Sequence, residues 1–512
     1  MNSIRQRLIS LRNRARDLQT TLRRWALYDD SLPREMKEDL LSRMTPAEET
    51  AFETDLELTK TRLRPVSVQL KTVSKWYDYV LETINEQLER GRLLLEQGRN
   101  QECLAVLADV DGRLLSPNED TLGFVFRSCT QHASHEYHQK LATIDAIIRD
   151  LYLPTVKLAH QRGAVAKEGL SQTPLAYLTD GPEGMYTWRQ HAQQALNQGR
   201  RLPVTMLAVP RKLLAQPWNL TAIAHEVGLC LYSQFEMNWE FAGKLQTESA
   251  NAGVSPQTAG LWAKWHETVF ADVFGTLKLG PAYISGMIEL LGVDAIVCTT
   301  VNANSPVPPA YVRWHVMLQT LQLMQFPDQA RDLFNQIHLL CGDPASAAAR
   351  SGPALLLLVS DSRGIAGLAA FSPLHRLGGA RLIDIAQPFM AVEWQTAVKV
   401  RDVLQTNDER FSNDESFSWA EPVTAIPAAA HIALAGLRLT YDATPEFEAS
   451  RRTWVRFWCL MQCLTGHTEP TREREDREFA LGDAILRTIA QQPAQVHTGP
   501  RAAVPMMAGA RA

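Results

Sequence analysis

The sequence is poor in the signals that usually announce a chemistry. Its seven cysteines, at 103, 129, 230, 298, 341, 459 and 463, are odd in number and scattered, with no Cys-x-x-Cys pair. That argues against a disulfide framework and suits reduced thiols. Cys459 and Cys463 share a helix face, but two thiols alone do not close a zinc site. No Gly-x-x-x-x-Gly-Lys-Ser/Thr loop is present to cradle a nucleotide phosphate, and the glycines between Gly364 and Gly379 are too dispersed to replace one. There is no Gly-x-Ser-x-Gly elbow, so Ser360-Asp361-Ser362 reads as a strand-end turn rather than a nucleophile. Net charge is only −4, which gives no reason to expect nucleic acid or a membrane surface. No apolar run reaches the roughly 18–20 residues of a membrane span; Asp361, Ser362 and Arg363 interrupt the best candidate. Five arginines fall within the first sixteen residues without the unbroken apolar stretch of a signal peptide, so a cytoplasmic protein is expected. No internal repeat is found.

What is present is ordinary globular material, 45% hydrophobic and 21% charged over 512 residues. That length predicts two to four domains. Residues 1–110 read as a helical hairpin resembling a coiled coil. Ile4, Leu8, Leu11, Ala15, Leu18, Leu22 and Trp25 alternate steps of four and three, a seam for another helix and a possible route to self-association. Pro33 to Glu53 forms the turn region. The second helix runs from about Glu57 to Gly98 through Leu63, Val73, Trp76, Val80, Ile84 and Leu88. The surplus of arginines at its start reads as a solvated face.

Residues 111–202 are predicted to be a helical connecting region ending its main helix at Pro154. His132, His135 and His138, with Glu136, step by three and drift around the helix at about 100° per residue, so they read as a polar surface. Gly181-Pro182-Glu183-Gly184 is a loop. Residues 202–209, LPVTMLAV, are predicted to form an edge strand. Residues 203–345 make the core, including a helix opened by 305–313 and continued through Met317, Leu321 and Met324. Residues 346–491 are mainly helical, with helices at 428–439 and 454–464 and a strand-like LLLLVS run within 353–371. The tail, 492–512, has little to bury and is expected to be disordered.

The chemistry-bearing stretch is Trp218 to Met287. His225-Glu226 lies on a helix whose apolar residues Leu220, Ile223, Val227, Leu231 and Phe235 recur every three or four positions. A second amphipathic helix carries Glu267 and Asp272 and stops at Leu279-Gly280-Pro281. Further on, Pro308 and Arg313 are five residues apart.

In that order, these features resemble the gluzincin branch of the zincin metallopeptidases, over residues 203–325. The family's first helix carries His-Glu-x-x-His; here His225, Glu226 and Gly228 match, and Leu229 stands where the second histidine belongs. Its second helix carries Glu-x-x-Ala-Asp; here Ala271 and Asp272 match, followed by Gly275, and Thr268 stands where the glutamate belongs. Histidine and proline with a following arginine are represented by Pro308 and Arg313, with Val307 in place of the histidine. The packing positions are kept and the ligand positions are replaced.

The resemblance implies a mainly α protein: a helical N-terminal hairpin, a zincin-like α+β core with a small sheet, and a helical C-terminal region. It implies a degenerate, catalytically silent peptidase homologue without cofactor, acting through a protein or peptide partner. The alternative is an active zinc endopeptidase on irregular helices. His225, Glu267 and Asp272 would then hold zinc, with His266 as a substitute ligand; Glu226 would be the base, and Tyr232 and Arg313 would line the site. A histidine bonded to Asp272 within the core is the plain reading of His225.

Overall fold

The computed structural model describes residues 2–26, 67–134, 136–164, 173–180, 186–188, 204–405, 429–443 and 457–458. The expected turn at 33–53, the segment 57–66, His135, the loop at 181–184, Cys459, Cys463, most of the 454–464 helix and the tail lie outside them.

The described chain is mainly helical around one small sheet, as its patterning predicts. The N-terminal part consists of α1 (Asn2–Ala26), α2 (Ser67–Glu96), α3 (Asn100–Asp109) and α4 (Ser116–Ala133), the last two joined by a π-helical turn, Val110–Leu115. The boundary expected at 110 therefore falls inside one helical run. The heptad seam of α1, from Ile4 to Leu22, is buried against Val73, Trp76, Val80, Ile84 and Leu88 of α2. A surface that could have paired between chains is thus covered within one.

Next come α5 (His138–Gln161), β1 (Leu175–Thr179), β2 (Tyr186–Trp188) and β3 (Met206–Pro210). Helix α5 does not end at Pro154 but runs through it. The strand order is β1-β3-β2, with β1 parallel and β2 antiparallel to β3. The segment expected at the edge is consequently the central strand. It is apolar on both faces because the sheet lies between two cores. Leu175, Tyr177, Met206 and Ala208 face the N-terminal helices. Their alternates Ala176, Leu178, Leu207 and Val209 face the larger helical core, as the two-residue period of a strand requires.

That larger core contains α6 (Ile223–Gln234), α7 (Asn238–Thr247), α8 (Ala259–Lys264), α9 (His266–Leu279), α10 (Pro281–Leu291), α11 (Ala295–Thr299) and α12 (Ala310–Leu323). It continues without a break through α13 (Pro327–Cys341), α14 (Pro344–Ser351), α15 (Pro353–Phe371), α16 (Leu382–Ala386), α17 (Ala391–Gln405) and α18 (Ala430–Ala443). Residues on either side of 345 share this cluster.

The strand expected in LLLLVS is instead the start of helix α15. Leu355, Leu358, Asp361, Ser362 and Ile365 are buried at helical spacing. Asp361 does not break the run: it accepts hydrogen bonds from Ser255 N (2.9 Å), Trp262 Nε1 (3.2 Å) and the Thr258 hydroxyl. Alone among the described helices, α15 is long and apolar enough to cross a membrane, and half of its apolar window is buried against the core.

Candidate functional site

The two helices of the resemblance, α6 and α9, lie side by side, and glycine is what lets them approach. A Cβ at Gly228 would sit 2.9 Å from Ala271 Cα, closer than such atoms come. At Gly275 an added Cβ would fall 2.5 Å from the ring of Tyr283. That ring lies across α9 because Gly280, at φ 55°, turns the chain and Pro281 starts α10 at once. From the far side, α18 fastens the entry to α6: Arg438 donates to Asn219 Oδ1 (2.9 Å), Glu289 Oε2 (2.6 Å) and Ser285 Oγ (3.1 Å).

These elements converge on Asp272, which is buried. Arg313 of α12 grips both its oxygens, Nε to Oδ2 and Nη2 to Oδ1, each at 2.8 Å. The Tyr283 hydroxyl donates to Oδ1 at 3.0 Å, and His225 Nδ1 stands 2.9 Å from the same oxygen. Burial alone would raise the Asp272 pKa. The Arg313 charge and hydrogen bonds, then His225, outweigh it and bring the value to about 2. Burial, followed by the carboxylate, pushes the Tyr283 phenol well above its ordinary value, so it stays a neutral donor.

The geometry fixes the histidine tautomer. Asp272 Oδ1, an ionised carboxylate oxygen, only accepts, so His225 Nδ1 carries the proton that it donates over 2.9 Å. In the neutral ring the lone pair then lies on Nε2. Among the described residues Nε2 has no hydrogen-bond partner, and the side chain is 13% exposed.

The site thus unites His225, Asp272 and Arg313. Glu226 is buried beside His225, and its charge acts on both Tyr283 and Arg313. Tyr232 goes elsewhere: its hydroxyl is 2.6 Å from His266 Nδ1, and the two rings stack at 5.3 Å. That contact engages the proposed substitute ligand. Helix α9 is regular from His266 to Leu279, so the irregularity needed to turn Glu267 toward Asp272, about 140° away around the axis, does not occur. Leu229 and Thr268 are both buried, and neither an isobutyl group nor a neutral hydroxyl replaces a zinc ligand. Asp272 Oδ1 already meets Arg313, Tyr283 and His225, Oδ2 is taken by Arg313 Nε, and a fixed guanidinium beside His225 repels a dication. Among the described residues no group of three or more His, Cys, Asp and Glu side chains is placed to hold a metal. The residues present do not fit zinc.

Tyr283 escaped the sequence reading. The only trace it left was Gly275, a small residue eight positions upstream, followed by Gly280-Pro281. His132 was also misread: it is buried rather than a surface residue, with Nε2 2.9 Å from Asp145 Oδ2. Family models, curated proteins and solved structures, compared with this chain, return no match.

Proposed function

We propose that residues 203–345 form a zincin-like scaffold that carries no metal, is catalytically silent, and serves as a protein-binding or assembly component. One observation carries the reading: both oxygens of Asp272 are held by Arg313, so the position that would support a metal-bound histidine is neutralised by a buried cation of the chain itself. The scaffold is kept by packing, through Gly228 on Ala271 and Tyr283 over Gly275, independently of any ion.

An exposed apolar surface supports the partner half of the proposal. Val293, Ile296, Val297 and Leu339 are 64–90% exposed where α11 packs on α13. Leu340 joins them beside Gly292. Apolar residues grouped in this way are the kind a partner covers.

A second reading, an active zinc endopeptidase with Glu226 as base, draws on the orientation of His225. A carboxylate on Nδ1 and a free Nε2 is the arrangement of a metal-ligating histidine. Digestion of unfolded casein, with and without added zinc, separates the two. The expected result is no cleavage in either condition. Zinc-dependent cleavage abolished by Glu226→Gln would replace the first reading with the second.

A further inference from the structure

Away from this site, an open cavity of about 300 Å³ runs along α5 and is closed at one side by Gln387. Its polar lining is Arg149, Asp150, Lys157, Gln161 and Gln387. Arg149, Leu153 and Lys157 succeed one another at intervals of four, so they form one stripe on the helix. The two cations stand about 12 Å apart along its axis, at a rise of about 1.5 Å per residue, with the aliphatic Leu153 between them.

Three features distinguish this groove from ordinary surface. First, Arg149, Lys157, Gln161 and Gln387 use none of their side-chain donors among the described residues, whereas Arg14, Arg313, Arg381 and Arg438 are all paired with carboxylates. Second, the lining carries two cations against one carboxylate, and that carboxylate is engaged from behind: Asp150 Oδ2 accepts the Ala430 N–H and stands 4.0 Å from His431 Nδ1. Third, Gln387 is held in an unusual conformation for a non-glycine residue, φ 52° and ψ 76°, just before Pro388. It is pinned from both sides. The Ala386 carbonyl accepts from Lys278 Nζ at 2.8 Å, and Phe389 N donates to Leu277 O at 2.6 Å. The loop is clamped to the end of α9, and the left-handed residue is the one that faces the cavity.

We infer that this groove binds a small elongated organic anion. Its two anionic ends would meet Arg149 and Lys157, its aliphatic middle would lie on Leu153 and Pro154, and Gln387 would donate from the opposite wall. A compact anion could reach only one of the two cations. An extended one uses both and desolvates the apolar strip between them.

Titration of the full chain with succinate, adipate, suberate and inorganic phosphate, followed by calorimetry, tests the inference. Affinity is expected to rise with chain length, suberate binding at least tenfold more tightly than phosphate. Arg149→Gln and Lys157→Gln should each weaken suberate by about tenfold while the circular dichroism spectrum stays that of wild type, since both side chains are unpaired. Absence of binding by every probe, equal affinity for phosphate and suberate, or unchanged affinity in the two variants would overturn it.

Discussion

Among the described residues, the histidine–aspartate pairs His132–Asp145 and His225–Asp272 differ in what is left over. In the helical region beside the sheet, His132 uses both ring nitrogens: Nε2 meets Asp145 Oδ2 at 2.9 Å and Nδ1 meets Ser128 O at 3.3 Å. Asp145 then turns its other oxygen to the Ala176 N–H of β1, at 3.1 Å. Every group is satisfied, and the pair ties α4, α5 and the sheet together. In the larger core His225 uses Nδ1 alone, and its Asp272 is shared with Arg313 and Tyr283. The first pair is a closed strut. The second leaves one ring nitrogen over, and Arg313 supplies a positive charge beside the shared carboxylate.

Removing that charge should separate the two most sharply. Arg313→Leu leaves Asp272 buried with only neutral donors, and the loss should be about 3–5 kcal/mol. Urea denaturation would read it as a lower midpoint at unchanged slope. Asp272→Ala should cost a similar amount with no metal present, because it strands the Arg313 guanidinium; an unaltered midpoint would show that the pairing does not hold the helices.

Next in size is the strut. Asp145→Ala orphans His132 Nε2 and the Ala176 N–H together, and about 2–3 kcal/mol should be lost. Hydrogen exchange at Ala176 should accelerate with it. Exchange unchanged there would mean that the sheet does not depend on this pair.

Acid should distinguish the pairs without mutation. The folded Asp272 pKa is about 2 against an ordinary 3.8, so its contribution is complete above the unfolded value and is lost as pH falls from about 4 to about 2. That contribution is about 2 kcal/mol at about 1.4 kcal/mol per unit. Stability measured from pH 5 to pH 2 should decline less steeply in Asp272→Asn than in wild type; parallel curves would remove Asp272 from the account of acid sensitivity. A last effect, comparable in size, concerns helix approach: Gly228→Ala, with its Cβ 2.9 Å from Ala271 Cα, should cost about 1–3 kcal/mol, visible as a lowered melting temperature.

The comparison also explains how much could be read from the chain. The seam from Ile4 to Leu22 was legible because both of its partners lie on long regular helices, where a 3.5-residue period is strict. His225, Asp272 and Arg313 were legible as motif positions. Their joint arrangement was not, since it depends on Tyr283 reaching over Gly275, a contact between positions that no periodicity links. LLLLVS was misread because a short apolar run fits a buried strand and a buried helix equally; Asp361 looked like its end and is instead an interior acceptor for three donors. His132 was misjudged for a related reason. Its partner is thirteen residues away on another helix, so helical spacing around His132 itself gave no sign of burial.

Zinc binding by the purified chain, compared with Leu229→His/Thr268→Glu, tests the central claim most directly. Wild type is expected to hold no stoichiometric zinc, and the double substitution, which restores the two missing ligands beside His225, is expected to take up about one per chain. About one zinc in wild type, lost in His225→Ala, would contradict the metal-free scaffold.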